Sequence, residues 1–167
     1  QSGGAVLSAL ANDLASHYTP VDIFIDREGV WHRMGIPMQP IKALSGLDVA
    51  FNALKGGFGE DGNVQQIFEH FSIPHTGSEK IASALAMNKF LAKERFREAH
   101  IKTPHAKIIR VSDTLYNDVL AAFHSVMMPA IVKPASSGSS LGIAIVNDYE
   151  SLLNAVRYAF HFSPSVL

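Results

Sequence analysis

The chain has 167 residues, 47% of them hydrophobic and 17% charged, enough for one ample core or two small lobes around a cleft, and not the composition of a disordered chain. A formal net charge of -1 gives no basic footprint for nucleic acid or an anionic membrane, and the absence of cysteine excludes disulfides and cysteine-based zinc sites. The apolar runs fall short of the roughly 20 residues that span a bilayer, and the first ten residues lack the basic start of a secretory signal, so a cytoplasmic protein is expected.

In chain order, the spacing of Val6, Leu7, Leu10 and Leu14 predicts a helix from about residue 3 to 17, with Ser2 as its cap. Val21 to Asp26 alternates as a strand, Gly29 to Arg33 reads as its hairpin partner, and Pro37 and Pro40 break the regularity after it. Asp48 to Leu54 reads as a buried strand ending in a glycine-rich loop, Lys55 to Gly62. Asn63 to Phe71 has a helical apolar pattern that stops at Ile73-Pro74. Ser78 is placed as the cap of a helix over 79–87, and Asn88 opens an amphipathic helix over 89–100. Thr103-Pro104 marks a linker. Beyond it the pattern predicts strand 106–111, helix 114–126, strand 130–133, a Ser/Gly loop, strand 141–146 and helix 149–160 capped by Asn147 or Asp148. Trp31 reads as a packing residue, as does the Phe68 and Phe71 stripe.

Chemistry concentrates in two stretches. Ile131 to Gly142, IVKPASSGSSLG, is a short apolar strand that breaks into serines and glycines directly after Lys133. Glycines that accept positive φ, free N–H groups, hydroxyls and one ammonium suit a polyanion such as a nucleotide phosphate; a mobile hairpin is the alternative that local composition leaves open. Lys89, at the junction of two helices, is a second cation that could clamp the same group.

The other stretch, Gly57 to Gly62, has the form GxGxxG between a strand and a helix. A pyrophosphate needs a positive helix start there, and Glu60 and Asp61 put two negative charges in its place. These acids are read as helix caps or as partners of a cationic ligand group. His70, His75, His100 and His105 lack metal-ligand spacing, and Ser139 has no nucleophile-elbow context.

Taken together, FNALKGGFGEDGNVQ (51–65), IPHTGS (73–78), SALAMNK (83–89) and IVKPASSGSSLG (131–142) resemble, in order and spacing, the successive signatures of the D-alanine–D-alanine ligases of the ATP-grasp superfamily. The resemblance implies an α/β chain: a Rossmann-like pre-ATP-grasp domain over 1–100, lacking its first strand, then over 104–167 the first α+β lobe of an ATP-grasp module. It implies ATP-dependent joining of two D-alanines for peptidoglycan through an acyl phosphate.

Carried over by position, Lys89, Lys133, Ser140 and Gly142 would bind ATP, Lys55 and Glu60 the amino-acid substrate, and Ser139 would serve both substrate binding and catalysis. ATP and Mg²⁺ are the implied cofactors, with the metal ligands expected beyond Leu167. D-alanine and ATP are the implied partners, without nucleic acid or membrane, and the resemblance leaves a homodimer open. Lys55 stands where members commonly carry a histidine, which keeps a positive charge and changes its reach. Ala135-Ser136-Ser137 replaces a stretch where an arginine or glutamate often precedes the glycine. On this reading the chain is an internal fragment that neither holds Mg-ATP tightly nor ligates by itself. D-Ala-D-Lac or D-Ala-D-Ser ligation, or a non-catalytic nucleotide-binding remnant, are the alternatives.

Overall fold

The structure, a computed structural model, describes residues 2–13, 17–138 and 140–167. Leu14 and Ser139 therefore lie outside the described residues. Two compact units divide the chain, one running to Lys80 and the other from Ile81 to Leu167.

The first unit opens with helix α1 (Ser2–Asp13), on which Val6, Leu7 and Leu10 are half-buried. A three-stranded antiparallel meander follows, β1 (Ile23–Ile25), β2 (Trp31–Arg33) and β3 (Ile36–Met38), with Ile25 opposite Trp31 and Trp31 opposite Met38. The predicted hairpin is present. The third strand was not expected, because prolines were read as breaks. Pro37 is tolerated at an edge, where no ladder needs its missing N–H, and Pro40 sits in the first turn of α2 (Pro40–Leu44), where that N–H would be unpaired anyway. The tight β1–β2 turn is held by Asp26, whose Oδ1 accepts from Glu28 N and Val30 N and whose Oδ2 lies 2.9 Å from His32 Nε2.

Asp48 to Leu54 does not form the buried strand expected from its apolar run. Val49 and Phe51 are exposed, and only Ala50 pairs, in a parallel bridge to His75. Its N–H donates to Pro74 O and its carbonyl accepts from Thr76 N. Between these two segments run α3 (Gly57–Glu60) and α4 (Asn63–His70), so the parallel bridge closes a small β-α-β unit. α4 ends with Ser72 in the left-handed region, Ser72 N donating to Glu69 O and Ile73 N to Phe68 O, the pattern of a Schellman cap. The core of this unit is Trp31, Ala43, Leu44, Ala50, Val64 and Phe68, so Trp31 and Phe68 are the packing residues expected of them, and Phe71 is half-buried against the same cluster.

The second unit carries most of α5 (Lys80–Met87), then α6 (Lys89–Glu98), with Asn88 capping α6 by accepting from Phe90 N and Leu91 N. α6 is less amphipathic than its sequence suggests: it buries no side chain, and Leu91 and Phe96 are 40% and 46% exposed. Its Schellman end uses His100 at φ 57° where glycine is usual, with Ile101 N donating to Phe96 O.

Beyond it come β4 (Ile109–Arg110), α7 (Leu115–Ser125), β5 (Ala130–Val132), β6 (Ala144–Val146), α8 (Tyr149–Ala159) and β7 (Ser165–Val166). Asp148 and Ser151 form a reciprocal capping box at the start of α8. β7 was not foreseen. It pairs with β4 on one side and through a Pro134–Val166 bridge with the continuation of β5 on the other, giving the lateral order β6-β5-β7-β4. α7 and α8 cover one face of this surface, around Ile109, Val119, Val132, Val146, Val156 and Val166. On the opposite face Ile131 and its cross-strand partner Ile145 are 51% and 70% exposed.

Candidate functional site

In the second unit, the Ser/Gly loop leaves a rigid base. Lys133 N donates to Leu167 O and Leu167 N to Lys133 O, both at 2.8 Å, and Ala135 N donates to Ser165 O. Strand alternation sends Val132 into the core, which places Lys133 on the other face, with Ile131. The same segment receives α6: Lys89 N donates to Ala135 O at 2.8 Å, and Lys89 Nζ donates to Ser137 O at 2.7 Å. Two residues that stand 44 positions apart are thus brought to one loop, as their separate readings required.

Partial burial lowers the pKa of the Lys89 ammonium below its ordinary value, and the charge of Lys133 lowers it further. Lys93, one turn along α6, is shifted the same way by burial, then by Arg97 and Lys133, and its Nζ donates to Pro104 O. Among the described residues none of the three lysines pairs with a carboxylate. A positive field with no internal counter-charge is what a polyphosphate neutralises. Lys93 was missed in the sequence, although its i,i+4 spacing from Lys89 was the available signal.

The loop has its own shape. Ser137 Oγ donates to Gly138 O, Ser140 is exposed at φ 58°, and Leu141 N donates to Gly138 O. Gly142, at φ 71°, is buried so tightly that a Cβ would lie 2.7 Å from both Phe162 and Pro134. It ends the loop by close packing, and its backbone faces constraints that no other residue type meets. Ser139, the predicted catalytic residue, lies outside the described residues.

In the first unit, Lys55 and Glu60 lie on the exposed turn that contains α3. Glu60 Oε2 accepts from Gly56 N at 2.6 Å, and Asp61 Oδ1 accepts from Asn63 N at the start of α4. Both acids therefore act on local N–H groups, as the rejection of a dinucleotide fingerprint anticipated. Asn52 and Gln65, which the sequence reading did not single out, both donate to the carbonyl of Gly59. An open groove of about 500 Å³ on this unit, between Pro40, Phe58, Ile67 and Phe71, includes neither Lys55 nor Glu60.

A sequence model of the family described as "D-ala D-ala ligase C-terminus" matches residues 96–167. The D-alanine–D-alanine ligase of Geobacter sulfurreducens is 37% identical over 166 residues, covering 99% of this chain and 48% of the relative. Among solved structures, the D-Ala:D-Ser ligase VanG of Enterococcus faecalis superposes with a TM-score of 0.68 at 26% identity, covering 95% of this chain and 46% of that one. D-alanyl-alanine synthetase A of Vibrio cholerae reaches a TM-score of 0.78 at 20% identity, over 98% of this chain and 52% of that one, a likeness of fold. The chain spans about half the length of the curated relatives it matches.

Proposed function

Because the chain belongs to the D-alanine–D-alanine ligase family, we propose that it supplies the phosphate-gripping lobe and the amino-acid-side loop of an ATP-dependent ligase that joins two D-alanines. The observation that carries the reading is the meeting of Lys89 with the Ser/Gly loop beside Lys133, without a carboxylate counter-ion. Lys89 and Lys133 bind the ATP phosphates, and the loop through Ser140 to Gly142 covers them. Lys55 and Glu60 orient D-alanine, and Ser139 serves substrate and reaction. We assign a substrate-side domain to 1–100 and a phosphate-binding lobe to 104–167, although α6, and Lys89 with it, packs in the compact unit that begins at Ile81. A family match that begins at residue 96 supports that division.

The chemistry asked of these residues is modest in kind. One D-alanine carboxylate oxygen attacks the γ-phosphorus of ATP, ADP leaves, and the amine of a second D-alanine displaces phosphate from the resulting acyl carbon. Phosphoryl transfer depends chiefly on alignment and on neutralising charge as it spreads over the phosphate oxygens. Two lysines and a loop with free N–H groups answer that need. Among the described residues no three carboxylate or imidazole groups converge as a site for the magnesium that the family reading implies. On the same reading the protein works in the cytoplasm and can pair as a homodimer; the described residues contain no helix long and apolar enough to cross a membrane.

Phosphate release should be measured on the complete reading frame that encodes this chain, with D-alanine, D-serine and D-lactate as second substrates. D-alanine is expected to be preferred, and Lys133→Ala to lower ATP turnover about a hundredfold. Unchanged ATP affinity and turnover in that variant would remove Lys133 from the site. Preference for D-serine would favour the second reading, which the likeness to VanG and the lysine at position 55 support.

A further inference from the structure

The carbonyl of Gly59 accepts two hydrogen bonds from side chains on either side of its turn. As one of the last carbonyls of α3 it has no helical partner, because the N–H of Asn63 that would have reached it bonds Asp61 instead. Two side-chain amides take its place: Asn52 Nδ2 donates at 2.9 Å and Gln65 Nε2 at 3.0 Å. A carbonyl oxygen has two lone pairs, so its capacity is filled.

The two donors bracket the turn in sequence, one before Lys55 and the other after Glu60. Each is held from behind. Asn52 N donates to Thr76 Oγ1, and Asn52 Oδ1 accepts from Leu54 N. Gln65 is 4% exposed in the first turn of α4, so its side chain has no freedom to wander. Its Oε1 is buried with no partner. Flipping the amide would not help, since Oε1 would then face the Gly59 oxygen, acceptor against acceptor. The chain thus keeps an unpaired buried oxygen in order to place a second donor on Gly59. That arrangement costs stability, and the bond to Gly59 is what it secures.

The rest of the turn agrees. A Cβ at Gly59 would fall 2.3 Å from Leu54 Cβ, so the backbone is pressed against the start of the turn. Across the turn, Gly56 N is tied to Glu60 Oε2. With Gly59 fixed from two sides, the backbone that carries Lys55 and Glu60 has one shape.

We propose that Asn52 and Gln65 are positioning residues, a paired amide clamp on the Gly59 carbonyl that sets the geometry of the Lys55–Glu60 turn before D-alanine arrives. The consequence for D-alanine rests on the substrate-side reading given above; the clamp itself does not. Neither residue touches substrate. They act through the backbone, so their loss weakens D-alanine binding and leaves the response to ATP alone.

Two variants, made in the complete reading frame that encodes this chain, test this. Gln65→Met removes the donor and the orphan oxygen together, which limits the loss of stability. Asn52→Asp keeps the acceptor for Leu54 N and turns the donor into a charged acceptor facing the Gly59 oxygen. Hydrogen exchange at the Gly56 amide is expected to accelerate about tenfold in each, with circular dichroism unchanged. In titrations followed by amide shifts, the D-alanine dissociation constant should rise about tenfold while ATP-induced shifts near Lys89 and Lys133 stay the same. Unchanged Gly56 exchange in both folded variants would overturn the clamp. Equal weakening of D-alanine and ATP responses would also overturn it, by reducing the amides to general stabilisers. If the unsubstituted chain shows no D-alanine response, the substrate reading fails, and the exchange data alone decide the clamp.

Discussion

The two candidate regions are rigid for different reasons. The turn over 55–60 is shaped by side chains bonding to nearby backbone: Asn52 and Gln65 to Gly59 O, Glu60 to Gly56 N, Asp61 to Asn63 N. The Ser/Gly loop is anchored by backbone pairing across long stretches of chain, Lys133 with Leu167 and Ala135 with both Ser165 and Lys89. A local device is broken by single side chains at the site. A sheet-borne device is broken from a distance, through the strand that pins it.

The largest effect is expected from Gly59→Ala. Its Cβ would lie 2.3 Å from Leu54 Cβ and 3.0 Å from the Leu54 carbonyl carbon, and backbone atoms cannot step aside as a side-chain tip does. Overpacking of this kind costs about 3 kcal/mol. Urea denaturation should show it as a lowered midpoint, and a cost near zero would mean that the turn is soft and the local device an illusion. Next comes Val166→Ala in β7. Val166 is fully buried between its pairing with Ile109 and its bridge to Pro134. Removing two methyl groups there should cost about 2 kcal/mol. More tellingly, exchange at the Lys133 and Ala135 amides should accelerate in that variant while exchange at Gly56 does not.

Asn88→Ala probes where the two kinds of anchoring meet in one unit. The Asn88 side chain caps α6, and the next residue is tied to Ala135 O by its N–H. Loss of the cap should cost about 1 kcal/mol. Thermal unfolding gives the stability change, and ATP titration gives the second readout: a weaker response is expected, because Lys89 is the first residue of the frayed turn.

What could be read in the sequence follows the same division. The Asn88 and Asp148 caps and the α4 and α8 patterns were legible because caps and helical periodicity are local signals, and the loop that Lys89 reaches was marked by a charge beside glycines. β7 was not, since Ser165-Val166 has only two residues and draws its strand character entirely from β4 and from residues 133–135. β3 was hidden by Pro37, which looks like a breaker until an edge position excuses its missing N–H. Asp48 to Leu54 looked like a strand, but Asn52 turns its side chain into the hydrogen-bonding and the ladder stops at Ala50. Gln65 passed for one more polar residue on an amphipathic helix. Its burial is visible only once Gly59 is folded back over α4.

The smallest expected change in stability is the one that best separates site from scaffold. Burial and Lys133 both disfavour the charged form of Lys89, so its pKa is below the ordinary 10.5 in the folded chain. Below the lowered value the residue is protonated in folded and unfolded states alike, and it then detracts from stability. As pH rises through the lowered value, the folded state sheds its proton first, and the penalty is relieved. Relative to Lys89→Met, the unsubstituted chain should therefore gain stability on going from pH 7 towards pH 10.5, a trend that thermal unfolding at a series of pH values would reveal. Lys89→Met itself should change stability at pH 7 by no more than about 0.5 kcal/mol, the lost bond to Ser137 O offsetting the relieved charge. Its response to ATP should nevertheless be lost. A lysine kept partly desolvated beside another lysine, contributing little to the fold and much to an anion, is a binding residue; a large stability loss in Lys89→Met with ATP response retained would make it a scaffold residue instead.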